Sequence, residues 1–236
     1  MATLSYHEQK DIENIKKLRE LQKELPSFCS DFFRGIETST STRTRIAYAY
    51  DLKIFFQFLK AANPGTFDNP SHTLTPSDLE KLTVTDLEEY IDYLKCHPSD
   101  TNEDVINTER GLMRKVSSLR SFYSYFFRNE RIEKNPAALV RMPKLHEKEI
   151  IRLEIDEVAK LLDEVEEGDK LTEKQKLYHE RTKVRDLAMM SLLLGTGIRV
   201  SECVGLNIND IDLDTCGARV YRKGGKESVI YFSDEV

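Results

Sequence analysis

Residues 185–206 read RDLAMMSLLLGTGIRVSECVGL, and this stretch decides how the second half of the chain folds. Its apolar run predicts a helix from about Val184 to Leu194, which ends at Gly195 and Gly197 because glycine readily terminates a helix. A second, short helix is predicted from Arg199 to Leu206. Arg199 and Glu202 are three residues apart, so their side chains share one face of that helix.

An arginine in the first turn of a helix suits the binding of a phosphate group. Arginine offers a planar fork of donors, and the free backbone N–H groups of the helix start add positive potential beside it. The alternative is an ordinary surface ion pair between Arg199 and Glu202 on a structural helix. Taken alone, the pair fits that alternative better.

A β-hairpin is predicted beyond this helix. Two β-rich runs, 218–222 and 228–232, flank a Lys-Gly-Gly-Lys turn at residues 223–226. The turn is not a nucleotide-binding P-loop, because Val220 stands where that motif needs glycine and Glu227 where it needs Ser or Thr.

The first half of the chain reads as a series of amphipathic helices, with prolines at 136 and 143 interrupting the pattern. The segment 97–104 is polar and is predicted to be an irregular loop. The strongest helices are predicted over residues 44–61 and 108–129. The resulting division is an N-terminal helix (1–25), a helical domain (26–140), a linker (141–150) and a second domain (151–236).

Composition excludes several classes of protein. The chain has 236 residues, of which 39% are hydrophobic and 32% charged, so it can form a core and is not a disordered chain. It contains no apolar run near the ~18 residues of a membrane span and no signal-peptide region, which predicts a soluble, cytoplasmic protein. The four cysteines are far apart without a CxxC pair, so we expect reduced thiols and no metal site.

Charge is distributed unevenly along the chain. The net charge of −6 gives no overall support for nucleic-acid binding. Residues 107–150, however, hold ten Lys or Arg and five Asp or Glu. This local excess predicts a DNA face, although composition alone favours an ordinary solvated surface. The candidate DNA-binding residues on the two strongest helices are Arg43, Arg45, Arg114, Lys115 and Arg120.

The string GIRVSE at 197–202, followed by NDID at 209–212 and the KGGK turn, resembles the tyrosine recombinase (phage integrase) family. The match is closest to the Xer recombinases that resolve chromosome dimers. The RKGGK wording and a charged insertion at about 168–182 are similar to the single-recombinase type of some Gram-positive bacteria. In the first half, YDLKIFFQFL from residue 50 and RSFYSYF from residue 120 resemble the family's helical core-binding domain.

This resemblance implies a mainly α fold: a helical core-binding domain, then the N-terminal part of a mixed α/β catalytic domain with a β-hairpin. Arg199 matches the first catalytic arginine, Glu202 the acidic residue that supports it, and Lys223 the mobile catalytic lysine. Lys223 would donate a proton to the departing 5′ oxygen, with Lys226 as its rival for that role and otherwise a DNA-binding residue.

The family cuts DNA through a 3′-phosphotyrosine and exchanges strands through a Holliday junction. Its implied partners are a double-stranded recombination site and further copies of itself, a tetramer on two sites. No metal or nucleotide cofactor is expected, because the phosphotyrosine conserves the bond energy.

The chain departs from the family pattern in one respect. The family continues with a His-x-x-Arg motif, a second His or Trp, and the tyrosine nucleophile, and none of the five histidines here begins such a motif. Tyr221 and Tyr231 fall on the predicted hairpin strands and read as packing residues. We therefore expect a fragment that is inactive by itself. The alternatives are a non-catalytic DNA-binding protein of recombinase-like fold and a helical protein-interaction module.

Overall fold

A computed structural model describes residues 6–99, 103–146, 149–222, 226–234 and 236. The chain forms two compact units, Met1–Lys148 (unit 1) and Glu149–Val236 (unit 2). Helices predominate in both, which confirms the prediction of a mainly α chain. None of the helices in the described ranges is long and apolar enough to cross a membrane.

Unit 1 is built from seven helices and one short hairpin within the described residues. They are α1 (Tyr6–Lys23), α2 (Cys29–Gly35), α3 (Thr42–Ala62), α4 (Pro64–Phe67), α5 (Pro76–Leu79), α6 (Val84–Lys95), β1 (Cys96–Pro98), β2 (Asp104–Ile106) and α7 (Glu109–Arg128), followed by a 3-10 turn at Pro136–Ala138. Strands β1 and β2 pair antiparallel, with His97 opposite Val105.

The core of unit 1 is aromatic. Phe122 of α7 is fully buried, and its ring lies 5.2 Å from that of Phe32 and 6.2 Å from that of Phe56. Leu18 and Leu21 of α1 are buried in the same cluster, so the N-terminal helix is part of unit 1. The apolar stripes of α1, α2, α3 and α7 thus meet in one core, the normal outcome for amphipathic helices.

The two long helices of unit 1 begin at hydroxyl caps. Ser41 Oγ accepts a hydrogen bond from the N–H of Thr44 at the start of α3, and Thr108 Oγ1 accepts one from Gly111 at the start of α7. Both caps satisfy backbone donors that a helix start leaves unpaired. The observed boundaries lie within two residues of the predicted ones.

Unit 2 combines three helices with a three-stranded antiparallel sheet. The elements are α8 (Ile155–Glu167), α9 (Glu173–Thr196), α10 (Val200–Val204), a 3-10 turn at Ile208–Asp210, β3 (Ile211–Asp212), β4 (Gly217–Arg222) and β5 (Lys226–Tyr231), in the sheet order β3-β4-β5. Among its described residues, Ile198, Cys203 and Val220 form a small buried core against Leu192, Leu193 and Ile230.

Two predictions of local structure are wrong. The helix expected over 184–194 is α9, which begins at Glu173 and continues through the charged insertion; a cap at Thr172 and an ion pair between Glu173 and Lys176 stabilise its polar first turns. The loop expected over 97–104 contains the β1–β2 hairpin. Residues 100–102, between its strands, lie outside the described ranges.

Candidate functional site

The turn between α9 and α10 fixes the position of Arg199. Gly197 adopts φ +65°, a left-handed conformation that favours glycine, and its N–H bonds the carbonyl of Leu193 to close α9. Two residues later Arg199 has extended backbone (φ −75°, ψ 148°) and is the N-cap residue of α10, not a residue of its first turn. Its side chain therefore leaves the chain where one helix ends and the next begins.

Glu202 holds Arg199 through two hydrogen bonds. Glu202 Oε2 accepts from the Arg199 backbone N–H at 3.0 Å, and Oε1 accepts from Arg199 Nη1 at 2.9 Å. The Glu202 side chain is only 4% exposed, whereas that of Arg199 is 67% exposed. The buried carboxylate thus fixes one edge of a guanidinium that otherwise faces solvent, which suits a phosphate oxygen.

The charge on Glu202 is stabilised by its partners. The hydrogen bond from the Arg199 backbone N–H lowers the pKa of Glu202, and the opposing effect of burial is outweighed further by the guanidinium of Arg199 and the charge of Arg222. Glu202 therefore remains a carboxylate at neutral pH and anchors Arg199 by charge as well as by geometry.

Arg222 is the residue of this site that sequence reasoning missed. It is exposed at the end of β4, close enough to α10 for its charge to act on Glu202. Lys226 is exposed at the start of β5, directly opposite Arg222 in the hairpin register. In the sequence, Arg222 stands directly before the KGGK motif, and this position is the signal that could have identified it as a site residue. Lys223 lies outside the described residues, so its role stays a prediction.

Among the described residues, no group of three or more His, Cys, Asp or Glu could hold a metal ion. Cys29 and Cys203 are buried free thiols, and burial raises the pKa of each. Buried thiols of this kind act as packing residues.

In unit 1, Arg43 and Arg114 occupy an open face of neighbouring helices. Arg43 is exposed, and Ala47 follows it by one helical turn on α3. Arg114 of α7 reaches the Ala47 carbonyl at 3.5 Å and binds the buried carboxylate of Asp51 at 2.6 Å, while its side chain remains 45% exposed. Arg110 is exposed one turn earlier on α7 and was not among the sequence candidates. These three arginines form what we call the arginine face.

Arg45 and Lys115 are buried instead of facing solvent. Arg45 is 8% exposed and pairs with Glu37 at 2.7 Å. Lys115 is 7% exposed, its Nζ donates to Asn107 Oδ1 at 2.6 Å, and burial lowers its pKa. This corrects the expectation that both residues lie on a DNA-contacting surface: α3 and α7 turn them toward neighbouring elements of unit 1.

Arg120 also has internal partners. Its Nε donates to the carbonyl of Ala137 at 3.1 Å, and its Nη2 donates to the carbonyls of Ala138 and Val140. The guanidinium thus satisfies backbone acceptors of the segment that follows α7 and is not directed to an open surface. Of the five candidates in unit 1, only Arg43 and Arg114 remain on an exposed face.

Asp51 makes the stability of unit 1 depend on pH. Burial raises the pKa of this carboxyl to about 6, against the lowering effects of Arg114 and Lys115. The folded state therefore binds the Asp51 proton more tightly than the unfolded state, so this contribution to stability is complete below about pH 4 and is lost as the pH rises through 6. On lowering the pH from 7 to 4, we expect the free energy of unfolding of wild type to rise by about 2 kcal/mol relative to that of Asp51→Asn.

Chemical denaturation of both proteins across that range measures the difference, in which the titration of all other groups cancels. The quantity compared is the free energy of unfolding of wild type minus that of Asp51→Asn. If it stays constant or decreases toward acid pH, Asp51 in the folded protein is ionised throughout the range from pH 7 to pH 4.

The candidate site lies in a part of the chain that matches a known protein family. Residues 151–236, which include Arg199, Glu202 and Arg222, match the phage integrase family. Over 218 residues the chain is 34% identical to tyrosine recombinase XerC of Caldanaerobacter subterraneus subsp. tengcongensis, covering 89% of this chain and 56% of the relative. It is 31% identical over 241 residues to tyrosine recombinase XerS of Streptococcus uberis, covering 92% and 66%.

Solved structures show the same fold at low sequence identity. A lambda integrase (75–356) dimer bound to a COC′ core site superposes with a TM-score of 0.56 at 17% identity, covering 88% of this chain and 62% of that one. XerH site-specific recombinase bound to a palindromic difH substrate gives 0.50 at 14% identity, covering 80% and 48%. The chain spans about half to two thirds of the length of the two tyrosine recombinases to which its sequence is similar, XerC and XerS.

Proposed function

Since this chain belongs to the phage integrase family of tyrosine recombinases and is of the Xer type, we propose that the protein is a site-specific DNA recombinase. Its substrate is a double-stranded recombination site, which it cleaves and rejoins through a 3′-phosphotyrosine. Unit 1 binds the duplex, and unit 2 contributes catalytic residues. We propose the cytoplasm as its location.

The observation that carries this proposal is the pairing of Arg199 with Glu202. A solvent-facing guanidinium held by a buried carboxylate is a preorganised binding group for a non-bridging phosphate oxygen. Negative charge builds up on those oxygens during phosphoryl transfer, so Arg199 stabilises the transition state more than the ground state. Glu202 is the positioning residue for Arg199.

Proton transfer to the leaving group is assigned to Lys223. The 5′ oxygen departs as an alkoxide unless it receives a proton, and a lysine at the hairpin turn is a suitable general acid. Lys226 starts the second strand beyond the turn and opposite Arg222, so it stays the alternative donor. In this proposal Lys226 otherwise contacts DNA.

The assembly on DNA is proposed from the neighbouring structures. Lambda integrase is described as a dimer on a core site and as a tetramer bound to a Holliday junction. We propose that the full-length protein likewise assembles on two recombination sites, with four copies and one nucleophile each.

The arginine face is the proposed duplex-binding surface of unit 1. Its three side chains would bind backbone phosphates, which orient a protein on DNA without reading its sequence. We expect Arg43→Ala and Arg114→Ala each to weaken duplex binding and to lower the slope of log K against log salt by about 0.9.

The control variant is Arg128→Ala, which removes an exposed charge near the other end of α7, where Arg128 bonds the Ser124 carbonyl of its own helix. Titration of a labelled duplex at several salt concentrations measures all three. Equal slopes for wild type, both test variants and the control would show that the arginine face does not bind DNA.

The 236-residue chain itself is proposed to be unable to cleave DNA. Tyr221 and Tyr231 lie on paired strands β4 and β5, where both side chains are exposed and not packed as the sequence suggested, and no His-x-x-Arg motif occurs in the sequence. A nicked suicide substrate should therefore give bound but uncrosslinked protein. A covalent band that survives denaturation would place a working nucleophile within these residues.

A further inference from the structure

The segment that follows α7 turns back and runs along that helix. We call residues 131–146 the return segment. Arg131 N–H bonds the carbonyl of Phe126, and Asn135 Nδ2 lies 3.5 Å from Ser124 Oγ. Further along, Ala137 and Val140 lie beside Arg120. The contact positions on α7 therefore descend as the return segment proceeds, so it lies antiparallel to the helix.

Two polar clasps hold the far half of the return segment. The first is Arg120, whose guanidinium joins the carbonyls of Ala137 and Val140. The buried side chains of Ile132, Ala137 and Val140 anchor the part of the return segment up to Val140 in the core of unit 1. The Arg120 guanidinium donates to three backbone carbonyls in all, those of Ala137, Ala138 and Val140. These contacts explain why the Arg120 side chain is turned toward the protein.

The second clasp lies at the N-terminal end of α7. Glu109, the first residue of the helix, accepts the backbone N–H of His146 through Oε2 at 2.8 Å and contacts His146 Nδ1 through Oε1. One carboxylate thus binds both the main chain and the side chain of the same residue. Hydrogen bonds to a charged group are the stronger kind, but the side chain of His146 is 82% exposed and that of Glu109 is 46% exposed, so water weakens this contact.

We infer that Glu109 and Arg120 clasp the return segment to α7, so that unit 1 continues at least to His146 and does not end with the helix. The sequence predicts a linker at residues 141–150. With both clasps closed, residues 141–146 are held against α7 as part of unit 1.

The consequence for DNA binding rests on the proposed function. When two units of one chain bind the same duplex, a shorter free connection raises the effective concentration of the second unit. Opening the Glu109 clasp would add residues 141–146 to the connection, and the longer connection should weaken duplex binding by a small factor, on the order of twofold to fourfold. Salt dependence should not change, since neither clasp contacts phosphate.

Limited trypsin digestion of the 236-residue chain without DNA tests the clasps directly. Arg141 and Lys144 lie between the two clasps, and cleavage after them is followed by mass spectrometry. Loss of the solvent-exposed hydrogen bonds in Glu109→Ala should raise the cleavage rate at both bonds roughly threefold, because cleavage follows the population of the open form. Glu109→Gln keeps an acceptor oxygen without the charge and should be intermediate.

The matched control is Glu173→Ala. Glu173 is the first residue of α9 after a threonine cap, as Glu109 is the first residue of α7, so both variants lose the same favourable interaction with a helix start. Cleavage after buried Lys115 reports global unfolding of unit 1 and should rise less than cleavage after Arg141 and Lys144. Equal cleavage at Arg141 and Lys144 in wild type and Glu109→Ala, or equal acceleration in Glu173→Ala, would overturn the inference.

Arg120→Lys tests the first clasp and separates it from a phosphate contact. Lysine keeps the charge but cannot join the Ala137 and Val140 carbonyls together, so cleavage after Arg141 should rise about tenfold. Duplex titration of the same variants gives the second measurement. A salt slope reduced by Arg120→Ala would return Arg120 to the DNA face and reject the clasp. Failure of every variant and of wild type to bind DNA would reject the proposed function, while the digestion result would still decide the clasps.

Discussion

Replacing Arg199 with alanine in the full-length protein is expected to slow DNA cleavage on the order of 10²–10³-fold, as for the loss of one oxyanion donor. Duplex affinity should fall far less, because Arg199 acts chiefly when charge builds up on the scissile phosphate. The substitution leaves the buried Glu202 carboxylate with its backbone hydrogen bond from residue 199, so unit 2 should still fold, with some loss of stability. Single-turnover cleavage of a suicide substrate, together with duplex titration, measures both quantities.

Two further variants define what Arg199 contributes. Arg199→Lys keeps the charge but loses the bidentate fork, so it should restore only part of the rate. Arg219→Ala removes an exposed positive charge from β4 of the same unit and should cleave at nearly the wild-type rate. A cleavage rate for Arg199→Ala within threefold of the Arg219→Ala control would mean that the Arg199–Glu202 pair is structural.

Replacing Lys223 with alanine is expected to cost on the order of 10²–10⁴-fold in cleavage of an ordinary substrate, the range for loss of a general acid. A substrate whose 5′ leaving group is a thiol should restore most of that rate, because a thiolate departs without a proton. Arg199→Ala should show no comparable rescue, since its effect is on the non-bridging oxygens.

The same substrate distinguishes Lys223 from Lys226. If the thiol substrate rescues Lys226→Ala and not Lys223→Ala, the general acid is Lys226, the exposed residue that faces Arg222 across the hairpin. If it rescues neither variant, the proton comes from a residue outside the hairpin turn.

Elements with a strong local signal were predictable from the sequence. Helices α3 and α7 have long apolar stripes and hydroxyl caps, so their boundaries were nearly correct. The β4–β5 hairpin was found from two β-rich runs around two glycines. The Arg199–Glu202 pair was found because a spacing of three residues places two side chains together at the start of a helix.

The missed features depend on tertiary contacts. Arg45, Lys115 and Arg120 read as surface charges, and only the packing around α3 and α7 shows that Glu37, Asn107 and backbone carbonyls bind them. The β1–β2 hairpin was not predicted, because its strands have three residues each and are too short to show an alternation of polar and apolar residues. In α9, capping and local ion pairs stabilise a polar first half that lacks an apolar stripe.

The central claim is that this chain is part of an enzyme that cleaves DNA through a tyrosine. The most direct measurement is covalent trapping of the full-length protein on a nicked suicide substrate, followed by peptide mapping of the linked residue. We predict one tyrosine joined to a 3′ phosphate, at a position other than Tyr221 or Tyr231, with trapping strongly reduced in Arg199→Ala. Absence of any covalent product from a protein that binds the duplex, or linkage to a 5′ phosphate, would contradict the account.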